Sequence, residues 1–485
     1  MKDSEKIYDG ITGIRDDLVE GAEKQDLKRK RPRRRFWFGA IAAALVLAMV
    51  GGYLMWPGGG AAVNAYAISE ASYPEMAQYP NDMISSDGMP NSDGFEEAYE
   101  AWREDLSAQR NSAPEGYAGG LDAYFGASAA QFLAGAGGEN RAYSPLNVYM
   151  ALAMLAELTD GESRQQILSL LGSESIEALR QQANGVWNTT YRDDGIIKSI
   201  LASSLWLDED VSFNQDTMDT LAQNYYASSY RGEMGSADFN AALQDWINGQ
   251  TGGLLQEQAG EVELTPDTIM ALATTVYFRA KWSDEFNEAG TAQGVFHAIG
   301  GDVTADFMHS SSDSDYYWAD NFSAAYRYLE SGGRMWFILP DEGVSADELL
   351  QSGEYMDMVL NPDGWAGQKR VIVNYALPKF DIASHFDLGG GLKALGVTDV
   401  FDGNVSDFSP MTDMEGVFVN SARHGARVAI DEEGVTAAAF TELAMAGSAA
   451  PPDDEVDFTA DRPFIFVITT QDDLPLFVGV VNNPA

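Results

Sequence analysis

The sequence contains no cysteine and only four histidines in 485 residues. Without cysteine the protein has no disulfide bond, thiolate metal site or cysteine nucleophile. Cysteine usage therefore does not indicate whether the protein works in an oxidising or a reducing compartment. The histidines show no metal-ligand spacing, and neither an HExxH nor a GxSxG pattern occurs. They are His297, His309, His385 and His424. We therefore expect neither a zinc enzyme nor a serine hydrolase, and no metal or other cofactor.

Basic residues are also scarce. The chain has 30 Lys and Arg against 74 Asp and Glu, a formal net charge of −44. Such an acidic balance excludes nucleic acid or anionic lipid as the main partner of the folded part. The 45% of hydrophobic residues are enough to bury a sizeable core.

Seven of the 30 basic residues stand directly before an uncharged apolar run. "KRKRPRRR" from Lys28 to Arg35 precedes Phe36–Trp56, and a helix of that length spans roughly 30 Å, the hydrocarbon thickness of a bilayer. We predict one transmembrane helix over 36–56, with residues 1–35 as a cytoplasmic tail and the rest exported. A cleaved signal peptide is the alternative, because "AYA" at Ala65–Ala67 resembles a cleavage site. The apolar run is longer than usual for a signal peptide, which favours the retained anchor.

Residues 57–115 are rich in Gly, Ala, Ser, Pro and Asp, a composition typical of a flexible acidic linker that reaches roughly 40 Å. Within it, Gly94–Leu106 is a candidate polar helix. The remainder, 116–485, is predicted to be the folded body.

Helical patterns dominate 121–247 and strand patterns dominate after Met270, and this segregation predicts an α+β fold. Ser144–Thr159 has a Ser-Pro start and continuous apolar character, which predicts a buried helix. Arg462–Pro484 predicts a β-hairpin that turns at "QDD".

One segment near the C-terminus, "DEEGVTAAAFTELAMAGSAAPPDDE" from Asp431 to Glu455, has an alternating pattern. Side chains alternate across a β-strand, so every second residue from Val435 to Met445 would share one face. That face carries no charge, whereas the other face carries Glu442 and Phe440. One face is therefore suited to burial in a sheet, although an alanine-rich surface loop explains the same pattern.

Several motifs in a fixed order resemble the serpin family from about Leu121 to Pro484. They are "YSPLNVYMALAML", "TTVYFRAKWSDEF", "ALPKFDI", "LGVTDVFD", "EEGVTAAAF", "RPFIFVI" and "PLFVGVVNNP". The chain is identified as a bacterial, membrane-anchored member of that family. The resemblance implies three β-sheets with eight or nine helices and an exposed reactive loop.

The resemblance also implies a suicide-substrate inhibitor of serine proteases, with no catalytic residue of its own. Its loop is cleaved by the protease, and the freed arm then enters the main sheet as a new strand. The family's loop length places the reactive bond between Ser448 and Ala449. The hinge residues implied are Glu432, Glu433, Gly434, Val435, Thr436, Ala437, Ala438 and Ala439. The bait residues are Leu443, Ala444, Met445, Ala446, Gly447 and Ala450.

A polar cluster is implied where the sheet opens, made of Ser144, Asn147, Thr274 and His424, with Trp282 beneath the entry point of the loop. Asn147 and Thr274 stand where the family usually has Ser and Asn, so we expect the amide to act from the helix instead of the strand. Val435 is likewise bulkier than the Thr or Ser usual there, which predicts slower insertion.

The small residue before the reactive bond predicts an elastase-like or subtilisin-like target. No Lys or Arg occurs from Asp431 to Glu455, which disfavours a trypsin-like protease. We expect a monomer. The alternative function is a non-inhibitory serpin body that serves as a membrane-tethered binding module.

Overall fold

The structure, a computed structural model, describes residues 63–80, 83, 94–260, 262–435, 452 and 454–485. The chain divides into Met1–Pro57 and Gly58–Ala485, and every described residue lies in the second unit. None of the helices described is long and apolar enough to cross a membrane. The predicted span 36–56 and the tail 1–35 lie outside the described residues.

Eight of the described strands form the main sheet. They are β1 (Ala67–Ser69), β3 (Arg192–Asp193), β4 (Lys198–Asp208), β5 (Ala227–Gly232), β6 (Met270–Lys281), β12 (Phe380–Asp387), β13 (Ser421–Ile430) and β14 (Gly434–Val435). Their order is β1-β5-β4-β6-β14-β13-β12, and β3 pairs with β4.

Nine of the described strands form the second sheet. They are β2 (Arg141–Tyr143), β7 (Ala292–Ala298), β8 (Gly301–Trp318), β9 (Phe322–Tyr328), β10 (Arg334–Pro340), β11 (Gln368–Pro378), β15 (Glu455–Thr459), β16 (Phe464–Thr469) and β17 (Pro475–Val481). Their order is β15-β11-β8-β9-β10-β16-β17-β2, and β7 pairs with β8. The described strands thus make two hydrogen-bonded sheets and not three, because the 18-residue strand β8 pairs at successive points with β7, β11 and β9.

Eleven α-helices occur among the described residues. They are α1 (Phe95–Arg110), α2 (Asp122–Leu133), α3 (Pro145–Leu158), α4 (Gly161–Leu170), α5 (Ile176–Thr190), α6 (Gln215–Asn224), α7 (Ala237–Gln250), α8 (Gln256–Ala259), α9 (Ala346–Ser352), α10 (Glu354–Leu360) and α11 (Leu388–Ala394). The helices concentrate before Met270 and the strands after it, which confirms the predicted α+β class.

Helix α3 is the central helix of the core. Ser144 caps its N-terminus by accepting a hydrogen bond from the backbone of Asn147, and Pro145 occupies the first turn, where its missing N–H costs nothing. All but one of its fourteen residues are buried. It packs against β4 and β6 on one side and β17 on the other. A helix with apolar residues all round, as the sequence predicts here, forms only where both sides are covered.

The described parts of the predicted flexible linker, 63–80, 83 and 94–115, differ from that prediction. Strand β1 pairs with β5 at the edge of the main sheet. Tyr73 packs its ring against Trp187 and Tyr191, and the indole of Trp102 on α1 donates to Asp194 at 3.1 Å. Composition alone favours a coil there, but the open edge of β5 and the aromatic side chains of the body order this segment.

Candidate functional site

The two central strands of the main sheet, β6 and β13, are direct neighbours along only part of their length. Ala271–Thr275 pair in parallel with Ser421–Gly425. If β6 and β13 stayed paired in this register to their ends, Ala280 would lie opposite Ile430. Those two residues instead pair with Val435 of β14, one on each side. The strands have therefore moved apart by one strand's width, from about 5 Å to about 10 Å.

We call the gap between β6 and β13 the slot. It runs along Val276–Arg279 on one side and Ala426–Ala429 on the other, and no described strand lies between these two segments. Their outer edges stay paired, because β4 holds β6 and β12 holds β13 through the same stretch. The slot is thus open over about 13 Å and bounded on each side by a strand whose outer edge is paired.

Gly434 and Val435 occupy the upper end of the slot. A Cβ on Gly434 would lie 2.5 Å from the carbonyl oxygen of Ala280, so only glycine allows this close approach. Val435 is 1% exposed and lies on the same face as Ala280 and Ile430, both buried. This is the face that the alternating pattern predicts to be inward.

The residues just before β14 are tied to the body by their backbone. The carbonyls of Asp431 and Glu433 accept from the side chain and backbone nitrogens of Trp282, at 2.9 and 3.0 Å. The carboxylate of Asp431 accepts from the backbone of Glu433 and Gly434, closing a tight turn. Trp282, predicted beneath the loop's entry point, therefore lies under this turn.

Glu432 is held by its side chain. Lys379 donates to one of its carboxylate oxygens and Thr291 to the other, each at 2.7 Å. Burial alone raises the pKa of Glu432, but the hydrogen bonds from Lys379 and Thr291 outweigh burial and hold the pKa below its usual range. The first of the predicted hinge residues, Glu432, is thus fixed to the body by its side chain.

The lower end of the slot is closed by a buried polar cluster. The backbone N–H of Ser144 donates to Nε2 of His424 at 3.1 Å, so this nitrogen carries no proton. Nδ1 then carries it and donates to Thr274 at 3.1 Å. Burial lowers the pKa of His424 to about 3, which keeps the ring neutral. Because Thr274 and His424 are cross-strand partners, this bond joins β6 to β13 just below the slot.

The structure brings Ser144, Thr274 and His424 together as predicted, but it does not place the amide of Asn147 in the cluster. The backbone N–H of Asn147 is bonded to the hydroxyl of Ser144. Neither atom of its carboxamide has a hydrogen-bond partner among the described residues. Both ring nitrogens of His424 are already engaged, which leaves the amide no partner there.

The remaining predicted site residues, Thr436–Ala439, Leu443–Gly447, Ser448, Ala449 and Ala450, lie outside the described residues. The chain is described again at Pro452, and from Asp454 onwards. It then forms β15, which pairs in parallel with β11 in the second sheet. The two ends of the loop are therefore anchored in different sheets.

Lys379, Thr291 and Asp431 were not among the predicted site residues. An Asp three residues before Gly434 is a signal for the Asx turn and was available in the sequence. Lys379 and Thr291 are far from Glu432 along the chain, and only the fold brings them to it.

Comparison with known proteins agrees with this geometry. A family model described as Serpin (serine protease inhibitor) matches residues 122–484. Serpin-ZX of Arabidopsis thaliana is 29% identical over 366 residues, covering 71% of this chain and 92% of that protein. Among solved structures, Arabidopsis AtSerpin1 in its native stressed conformation has a TM-score of 0.66 and 26% identity, covering 78% of this chain and 98% of that one. Tengpin, a thermophilic serpin in its native state, has a TM-score of 0.66 at 24% identity over 75% and 93% of the two chains, a likeness in fold alone.

Proposed function

The chain belongs to the serpin family, and on that premise we propose that it is a suicide-substrate inhibitor of serine proteases. A protease serine attacks the carbonyl of Ser448, the bond to Ala449 breaks, and the chain from Ala449 leaves with a free amine. The protease is left as an ester on Ser448. The arm that ends at Ser448 then enters the slot and carries the ester-bound protease with it before water can release it.

The slot, with Val435 seated between Ala280 and Ile430, is the observation that carries this proposal. It is one strand wide, and the residue that begins the loop already pairs with both of its sides. A peptide strand that continued from Val435 would gain a ladder of hydrogen bonds along both edges, each worth about 0.5–1.5 kcal/mol net. Burial of its apolar face adds about 25 cal/mol per Å².

A strand that kept the register of β14 would have a defined place for each following residue. Val435 pairs with Ala280 and Ile430, so Thr441 would come to Thr274 and His424 on the inward face. On the outward face Glu442 would lie beside Arg423, and an ion pair would form across the two strands. No charged residue would be buried in this register.

The target we propose is an elastase-like or subtilisin-like protease. Ser448 fits a shallow primary pocket, and the region Asp431–Glu455 offers no Lys or Arg to a trypsin-like protease. We place the inhibitor outside the cytoplasmic membrane of a bacterial cell, as an anchored monomer. The basic run before Phe36–Trp56 supports that orientation.

The test is to incubate the full-length chain, purified in detergent, with pancreatic elastase, neutrophil elastase and subtilisin, with trypsin as the control protease. We expect an SDS-stable complex near the sum of the two masses with at least one of the first three and none with trypsin. Cleavage without a complex, and without a gain in the thermal stability of the cleaved protein, would favour the alternative of a non-inhibitory binding module.

A further inference from the structure

A short segment crosses the outer face of the main sheet at the slot. We call this segment, Thr251–Gln256, the strap; it follows helix α7. On the β6 side the ring of Tyr277 packs on Gly252, where an added Cβ would lie 3.0 Å from a ring atom. On the β13 side a Cβ added to Gly425 would lie 3.0 Å from the side chain of Leu255, which is only 2% exposed.

Arg427 fastens the strap to β13. Its guanidinium donates to the backbone carbonyl of Leu254 at 3.0 Å. Two further donors form a forked pair with Asp381 on the neighbouring strand β12, at 2.8 and 2.6 Å. A guanidinium satisfies three acceptors in this way because its donors are fixed in one plane. The strap is therefore held at both edges of the slot, by packing on β6 and by a charged hydrogen bond on β13.

The closed strap conflicts with an inserted strand. In the register of β14, Phe440 would come to Thr275 and Gly425 with its side chain on the outer face. Leu255 now lies over Gly425 on that face, and Thr275 is only 2% exposed although it faces outward. Insertion beyond Ala439 therefore requires the strap to lift, and the bond from Arg427 to Leu254 must break.

We propose that Arg427 is a positioning residue that holds the strap closed and so sets the rate at which the slot accepts a strand. This proposal rests on the proposed function for its role in inhibition. The opening of the slot can be measured without any protease, by adding a synthetic peptide with the sequence of residues 436–445 to the full-length chain. Peptide annealing is followed by the rise in the midpoint of thermal unfolding.

We expect Arg427→Gln to anneal the peptide about tenfold faster than the wild type. The wild type must break the charged hydrogen bond from Arg427 to Leu254 to reach the transition state, and the variant has no such bond to break. Leu255→Ala, which removes the contact with Gly425, should also anneal the peptide faster. It is the test variant to use if Arg427→Gln does not fold. Arg427→Lys should be intermediate, because one ammonium cannot serve both Asp381 and the carbonyl of Leu254.

The matched control is Asp381→Asn, which removes the partner of Arg427 on β12 and keeps the carbonyl on the strap. Its annealing rate should stay within about twofold of wild type. Equal acceleration by Asp381→Asn and Arg427→Gln, or an unchanged rate in Arg427→Gln and Leu255→Ala, would overturn the proposal.

The same variants separate this inference from the proposed function. Normal SDS-stable complexes with elastase, together with an unchanged annealing rate in the Arg427 variants, refute the role of the strap and leave inhibition standing. Faster annealing with no complex in any variant or wild type refutes inhibition and leaves the strap as the control of slot opening.

Discussion

Replacing Val435 by arginine tests the inward assignment of the hinge most directly. Val435 is 1% exposed, and its side chain lies between Ala280 and Ile430 on the buried face of the main sheet. A guanidinium at this position must either be buried or pull β14 out of the slot. Either outcome opposes insertion of the residues that follow, because Val435 is the first residue of the arm to be paired on both sides.

The size of the effect follows from the burial of Val435. Losing the buried valine costs about 1.5–3 kcal/mol, and burying an unpaired cation costs several kcal/mol more. A barrier to insertion raised by about 4 kcal/mol slows that step about a thousandfold. Hydrolysis of the acyl-enzyme would then be faster than insertion, and Val435→Arg would be a substrate.

The assay is the stoichiometry of inhibition, the number of moles of chain consumed per mole of elastase inactivated, together with SDS gels. We expect Val435→Arg to be cleaved with little complex and the stoichiometry to rise at least tenfold. Val435→Thr is the control of similar shape. Burying its hydroxyl should cost about 1–3 kcal/mol, less than burying an unpaired cation, so most of the complex should remain. Inhibition by Val435→Arg at the wild-type stoichiometry would show that this side chain is not buried when the loop inserts.

Three further changes test the anchor at Glu432, the cluster of His424 that closes the lower end of the slot, and the register of the inserted strand. Glu432→Gln should lower the free energy of unfolding in urea by about 1–3 kcal/mol, because Lys379 loses its ionised partner; an unchanged value would show that the pair contributes nothing. Because the pKa of His424 is lowered in the folded chain, the unfolded chain takes up this proton at a higher pH than the folded chain does. Unfolding free energy should therefore fall as the pH drops from about 6.5 towards 3, by up to about 1.4 kcal/mol per pH unit, and His424→Gln should lack that part of the loss. Arg423→Glu should raise the stoichiometry of inhibition by placing like charges beside each other on insertion, and adding Glu442→Arg should restore it; failure of the double variant to recover contradicts the proposed register.

Local patterns in the sequence predicted the elements whose contacts are close along the chain. Helix α3 begins at Pro145 after the Ser144 cap, as the Ser-Pro start predicts, and the hairpin of β16 and β17 turns at the predicted position. The charge-free face of the hinge could also be found by alternation alone, since a strand's period of two needs no partner to be visible.

The edge strand β1 and the contacts of the strap could not be found in this way. The composition around Ala67–Ser69 is that of a coil, and the strand exists because β5 offers an open edge. Arg427 and Leu254 belong to segments remote in sequence, so their hydrogen bond has no local signature. Contacts of this kind depend on which surfaces the fold brings together, and propensity carries no information about them.

The sequence by itself determined the α+β class, the order of the family motifs, the uncharged run Phe36–Trp56 and a loop with one face free of charge. These properties are periodic or compositional, and they persist whatever the chain packs against. Tertiary structure alone decided that β6 and β13 part by one strand's width and that Val435 sits between them. It also decided that Lys379 meets Glu432, and that a strap lies over the place where an inserted strand must go. Such facts concern the distance between strands, which no local pattern encodes, because that distance is set when Val435 pairs with β6 on one side and β13 on the other.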